Sequence, residues 1–178
     1  MDFKKFATAN ALFAFLTTVA ASVSIPNGEV PITLQSVFVL LAGLIAGANV
    51  GLTAQLIYLL VGVFSPVFAG EIHGMDILGD PTVGFLFAFP VAAFLAGFIG
   101  HQQNIWKIML AVTIAQTSLY LFGVIFFKIN TERTFKDAFE VAFINIAFWG
   151  YLKSTVTGLL YFGYLQLPRN KQAISNRK

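Results

Sequence analysis

Apolar residues in this chain come in long unbroken runs separated by short polar clusters. The runs are continuous, so the two-residue alternation of a half-buried strand is absent. A helix of about 20 apolar residues crosses the hydrocarbon of a bilayer, and residues 6–25 form one such run. Residues 34–64 are too many for one span, and Gly47-Ala48-Asn49-Val50-Gly51 divides them into two shorter spans joined by a tight turn. Further runs cover 84–100, 105–127 and 141–167. Backbone in hydrocarbon must satisfy its own hydrogen bonds, which helices do locally. The pattern therefore predicts an all-α integral membrane protein, a bundle of six transmembrane helices over residues 1–167, followed by a basic tail at 168–178. Lys4 and Lys5 before the first run, and Val19-Ala20-Ala21-Ser22 near its end, also suit a cleaved signal peptide. The length of the run and the spans that follow favour a retained helix.

Composition agrees with the pattern. Of the 178 residues 57% are hydrophobic and 11% charged, whereas a soluble domain carries roughly 25% charge. The absence of cysteine excludes disulfides, thiol chemistry and Cys-ligated zinc or iron–sulfur sites. Charge placement sets an orientation. With the N-terminus inside, Lys4, Lys5, Lys107, Arg169, Lys171, Arg177 and Lys178 fall on the cytoplasmic side, against Lys128, Arg133 and Lys136 outside. The expected location is the cell membrane, crossed several times, with both termini in the cytoplasm and the tail resting on anionic lipid.

Small residues four apart make flat ridges that let helices approach closely. Ala7 and Ala11 form one, Gly43, Gly47 and Gly51 a second, and Ala92, Ala96 and Gly100 a third. Packing within the bundle accounts for any of them. The first ridge also suits a partner protein, because a terminal helix is the easiest to leave exposed.

Few residues carry chemistry. In Ile25-Pro26-Asn27-Gly28-Glu29-Val30-Pro31-Ile32-Thr33-Leu34-Gln35, two prolines and a glycine forbid a regular helix. Irregular apolar backbone beside a membrane is stable when it folds against protein or lines a cavity. Thr33 and Gln35 then either present a hydroxyl and an amide to that cavity or cap the next helix. Lys153 is the one formal charge deep in an apolar run. It either snorkels to the nearby outer face or holds an ammonium ready for an acceptor or carboxylate on a ligand. Asn145 and Tyr151 lie near it in sequence, and Gly150 shares its helical face and leaves space there. Tyr58, Thr113 and Gln116 read either as internal hydrogen-bonding groups or as parts of a site. The segment 70–84 is rich in turn formers and suits a lid over a ligand. Its His73, Asp76 and Asp80 could ligate a metal, though three spaced polar residues in a wet loop are an ordinary arrangement. Signatures of zinc proteases, serine hydrolases and nucleotide-binding loops are missing. The residues thus predict no catalytic centre, no cofactor, no metal and no nucleic-acid partner.

Several blocks together carry a resemblance. Val-Pro-Ile-Thr-Leu-Gln at 30–35, Leu-Leu-Ala-Gly-Leu at 40–44, Gln-Leu-Ile-Tyr-Leu-Leu-Val-Gly at 55–62, Pro-Val-Phe-Ala-Gly at 66–70 and Pro-Thr-Val-Gly-Phe at 81–85 follow in order. The chain resembles the biotin-specific S components of energy-coupling-factor (ECF) transporters. The resemblance implies a six-helix S-component fold, an outward-facing biotin site, and a partnership with a transmembrane coupling protein above two ATPases. By that analogy Thr33, Gln35, Tyr58, Pro81, Thr82, Gly84, Phe85 and Lys153 serve the substrate, with Asn145 beside Lys153, while Ala7 and Ala11 meet the coupling protein. Three positions depart from the relatives' pattern. Asp80-Pro81-Thr82-Val83-Gly84-Phe85 stands where relatives often read Gly-Pro-Thr-Gly-Gly-Tyr. Glu71-Ile72-His73 replaces a more glycine-rich lid. Gly150 stands where relatives often carry an aspartate, so the ureido end of biotin would need another acceptor. The alternatives are the same fold holding another small ring-bearing metabolite, a lipid-directed intramembrane enzyme using His73, Asp76 and Asp80, and a structural subunit without ligand.

Overall fold

The computed structural model describes residues 2–70, 74–101 and 104–167. Helix α1 covers Phe3–Ala21, and the chain then turns back in a short hairpin, β1 (Ser24–Ile25) antiparallel to β2 (Ile32–Thr33). The first apolar run therefore leaves the helix earlier than its hydropathy suggests, because Ser24 pairs with Thr33 and Ile25 with Ile32. Helices α2 (Gln35–Ala46) and α3 (Ala48–Phe64) follow, then a 3-10 turn (Gly74–Gly79), α4 (Val83–Gly100) and α5 (Ile105–Thr131). The last span is compound. It begins with α6 (Phe135–Phe139), passes through a π-helical turn (Glu140–Ile144) and continues as α7 (Asn145–Gln166). The expected start at Val141 thus falls inside the π turn. The tail at 168–178 and the loop residues Glu71, Ile72 and His73 lie outside the described residues.

The break between α2 and α3 is narrower than expected: one residue, Gly47, with φ of 91°. That value is open to glycine and strained for residues with a Cβ. Gly51, predicted as the far end of the turn, already belongs to α3. At about 1.5 Å per residue, the 12 residues of α2 rise only about 18 Å, short of the roughly 30 Å of hydrocarbon. The hairpin, not helix, continues the chain at that end of the bundle.

Helix α4 is central, packed against α2, α3 and α5, while α1 lies on α2 and α3 and α7 closes against α2 and α5. The glycine ridge meets backbone at the centre. A Cβ on Gly43 would collide with the Ala93 carbonyl oxygen, and one on Gly97 would stand 2.7 Å from the Gly43 carbonyl oxygen. Side chains bond across α1 and α3: the Thr53 hydroxyl donates to Asn10 Oδ1 at 2.5 Å, and Gln55 Nε2 donates to the Thr17 hydroxyl at 3.2 Å. Such pairs hold helices together where no hydrophobic effect separates protein from solvent. Phe15, Phe64, Phe98, Phe148 and Leu160 point outward and are exposed. Helices α4 and α5 are each long and apolar enough to cross a membrane.

Candidate functional site

A cavity opens at the end of the bundle away from the N-terminus, between the hairpin, α4, α5 and α7. It holds about 720 Å³ of atom-free space, its open mouth included. Its walls are largely apolar. Val30, Phe68, Phe85, Leu86, Phe89 and Leu119 supply rings and branched chains. Val30, in the turn of the hairpin, is buried in a cluster with Tyr120, Phe127 and Ile146. Phe85 reaches the wall through room left by Gly123, and its ring meets Tyr120 edge to face at 6.5 Å.

Two polar groups of the wall, Thr33 and Gln35, are fixed by one relay. The Thr33 hydroxyl donates to Gln35 Oε1 at 3.1 Å, Gln35 Nε2 donates to the Tyr58 hydroxyl at 2.6 Å, and Tyr58 donates to the Val67 carbonyl at 3.2 Å. The backbone N–H of Gln35 donates back to Thr33 Oγ1 at 3.3 Å. Thr33 lines the cavity and accepts from the first N–H of α2, while the N-cap position itself is Leu34 and carries no side-chain cap. Tyr58 is wholly buried behind Gln35, stacked on Phe89 and edge-on to Phe68. It orients the amide and does not line the cavity.

Lys153 is half-buried and its ammonium faces the cavity, donating to the Thr33 carbonyl at 2.5 Å. This bond ties α7 to the hairpin. Lys153 is the one formally charged residue among the described lining residues.

The other sequence candidates divide. Thr82 lines the cavity beside Phe85. Pro81 sits in the turn before α4 and is not in the wall, and Gly84 is buried in the α4–α5 seam, where a Cβ would meet the Phe122 carbonyl. Asn145 is exposed and also outside the wall. Ala7 and Ala11 are exposed on α1. Among the lining residues, sequence reasoning named Gln116 only as one of two readings and did not name Tyr120 or Trp149. Gln116 and Tyr120 are four apart on α5 and so share a face, a signal that was available. That this face looks into a cavity was not.

The loop before α4 is held by α5. Asn130 Nδ2 donates to the carbonyls of Leu78 at 2.9 Å and Asp80 at 2.8 Å, and the Asp80 carboxylate accepts from the Thr82 N–H at 2.7 Å. Asp80 is thus engaged in its own turn. Among the described residues no three His, Asp or Glu side chains converge as metal ligands, and His73 lies outside them. Asn130→Ala removes both donors and frees two loop carbonyls. Amide hydrogen exchange at residues 77–83 is expected to accelerate by about tenfold, the effect of losing roughly 1.4 kcal/mol of local protection. Unchanged exchange would show that the 3-10 turn is held by its own bonds.

The comparisons with known proteins agree with one another. The sequence profile of the BioY family matches residues 2–169. The biotin transporter BioY of Thermotoga maritima is 34% identical over 152 residues, which are 84% of this chain and 89% of that protein. The biotin transporter BioY of Rhizobium etli is 33% identical over 156 residues, covering 78% of this chain and 82% of the relative. A crystal structure of the S-component for biotin from an ECF-type ABC transporter superposes with a TM-score of 0.82, over 94% of this chain and 95% of that one, at 20% identity. Likeness at that identity establishes the shared fold. The match along nearly the whole chain, together with the same bundle, places this protein in the BioY family.

Proposed function

We propose that this chain captures biotin from outside the cell as the substrate-binding subunit of an ECF-type transporter, and that the cavity between the hairpin, α4, α5 and α7 is its site. The observation that carries the reading is the make-up of that cavity: apolar rings on most of the wall, a fixed set of amides and hydroxyls, and a single ammonium. Biotin joins an apolar bicycle to a cyclic urea and an aliphatic acid. Phe68, Phe85, Phe89 and Leu119 would bury the bicycle and chain. Gln35, Thr33 and Thr82 would orient the polar end, and Lys153 would meet an acceptor or the carboxylate.

The basic residues give the direction. Lys4, Lys5, Lys107, Arg169, Lys171, Arg177 and Lys178 outnumber Lys128, Arg133 and Lys136, which by the positive-inside rule supports an outward-facing cavity with both termini inward. The membrane is crossed six times in this reading. Ala7 and Ala11, exposed on α1, would let a coupling protein approach closely, with two ATPases beneath it supplying the energy that this chain, lacking a nucleotide loop, does not.

Calorimetric titration of purified protein with biotin is expected to give saturable heat at micromolar or lower concentration, with a rise in melting temperature. Absence of both would overturn biotin as the ligand. Mass spectrometry of the co-purifying small molecule then decides for another ring-bearing metabolite, the reading that Gly150 and Phe85 motivate.

A further inference from the structure

Gln116 is 3% exposed, lines the cavity, and its Oε1 has no hydrogen-bond partner among the described residues. A buried acceptor left unpaired costs free energy unless a ligand or water completes it. The residue facing it is Gly150. A Cβ built there would collide with the Tyr120 hydroxyl and stand 2.7 Å from Gln116 Nε2. Tyr120 reaches this place because α7 offers carbonyls without a side chain in the way: its hydroxyl donates to Ile146 O at 3.1 Å and lies 3.3 Å from Ala147 O. Gln116 Nε2 thus lies toward Gly150, and Oε1 is the amide atom left without a partner among the described residues.

We infer that Gln116 is a ligand-binding residue whose amide oxygen accepts a hydrogen bond from a ring N–H of the substrate, and that glycine at 150 is what admits it. An acceptor carried by α5 thus takes the place that a side chain on α7 would otherwise fill. The exchange has a chemical consequence. A carboxylate at this point would bring a negative charge within reach of Lys153, whereas an amide is neutral and leaves that ammonium uncompensated for the ligand. The donor it selects is one N–H of a cyclic urea or cyclic amide. This assignment rests on the biotin reading above and adds which protein atom meets the ureido edge.

The test uses biotin and its two cyclic-carbamate analogues, in each of which one ureido N–H is replaced by oxygen with almost no change in shape. Wild-type protein is expected to bind one analogue about tenfold more weakly than biotin. Gln116→Met, which keeps length and removes the acceptor, is expected to bind biotin about tenfold more weakly and to lose the discrimination against that analogue. Its elution profile and melting temperature without ligand report whether it folds. Wild-type protein binding both analogues as tightly as biotin overturns the inference without recourse to any variant, as does a folded Gln116→Met with unchanged biotin affinity and unchanged discrimination. In either case biotin capture itself stands. Failure of wild-type protein to bind biotin at all is a different result, which overturns the biotin reading and this assignment with it.

Discussion

Gly43→Leu will leave little folded protein. The three nearest atoms to a Cβ at this position are the Ala93 carbonyl oxygen, with which it would overlap, Gly97 N at 2.8 Å and the Ala93 carbonyl carbon at 3.0 Å. All three are backbone, so no rotamer change relieves the contact. Gly51 presses on Gly43 from α3 in the same way, with its virtual Cβ 2.8 Å from Gly43 Cα. Helices α2, α3 and α4 therefore meet main chain to main chain, and separating them would break the close packing that stands in for the hydrophobic effect inside a bilayer. Overpacking commonly costs 1–3 kcal/mol and more where neighbours are rigid, and a rigid node is the case here. The expected result is loss of the monodisperse peak in detergent, with Gly43→Ala already lowering the melting temperature. Gly163→Leu is the control: nothing lies within 4 Å of a Cβ there, so that variant should purify like the wild type. Normal folding of Gly43→Leu would show that the three helices have room to separate.

Lys153→Met is expected to weaken biotin binding by about 10- to 100-fold. Hydrogen bonds to a charged group contribute about 1.5–3 kcal/mol, and each 1.4 kcal/mol is tenfold in affinity. The ammonium is half-buried in a wall without a described acidic partner, and its one described contact is the Thr33 carbonyl. Two of its three donor directions thus remain for a ligand. Lysine's other reading, a side chain reaching for the outer face, predicts unchanged affinity, and calorimetry separates the two. Loss of the Thr33 contact could act through the hairpin, so amide exchange at residues 30–34 should be measured on the same sample. Weaker binding with unaltered exchange assigns the effect to the ligand. Lys153→Arg is not expected to restore affinity, because a planar guanidinium does not replace a compact ammonium at a fixed point.

Much of the bundle was legible along the chain, and the reasons are local. Every helix but the short α6 appeared as an apolar run, and its approximate ends followed from where polar or turn-forming residues began. The misjudged ends are those set by pairing at a distance. The run at 6–25 outlasts α1 because Ser24 and Ile25 have partners nine and seven residues away in the hairpin. The run at 141–167 hides a π turn, which hydropathy does not register. In the cavity, the Gly150 and Lys153 pair was readable from three-residue spacing on one helix. Asn145 was grouped with them by sequence proximity, yet it is exposed and outside the wall. Gln116 shares a face of α5 with Tyr120 four residues on, but that this face, and not Thr113, looks into a cavity was decided by the packing of α7 against α5.

The sequence alone determined the solvent and the class of fold, because hydropathy is a sum over neighbouring residues and needs no partner. It also determined that few side chains were available for chemistry. Tertiary structure decided which of those side chains meet. Lys153 bonds Thr33 across 120 residues, and Gly150 faces Gln116 and Tyr120 only because α7 lies on α5 at that depth. Such contacts depend on how close two backbones come, and here that distance is set by glycines at the seams. Their presence was visible in the chain, but the partner each one admits was not.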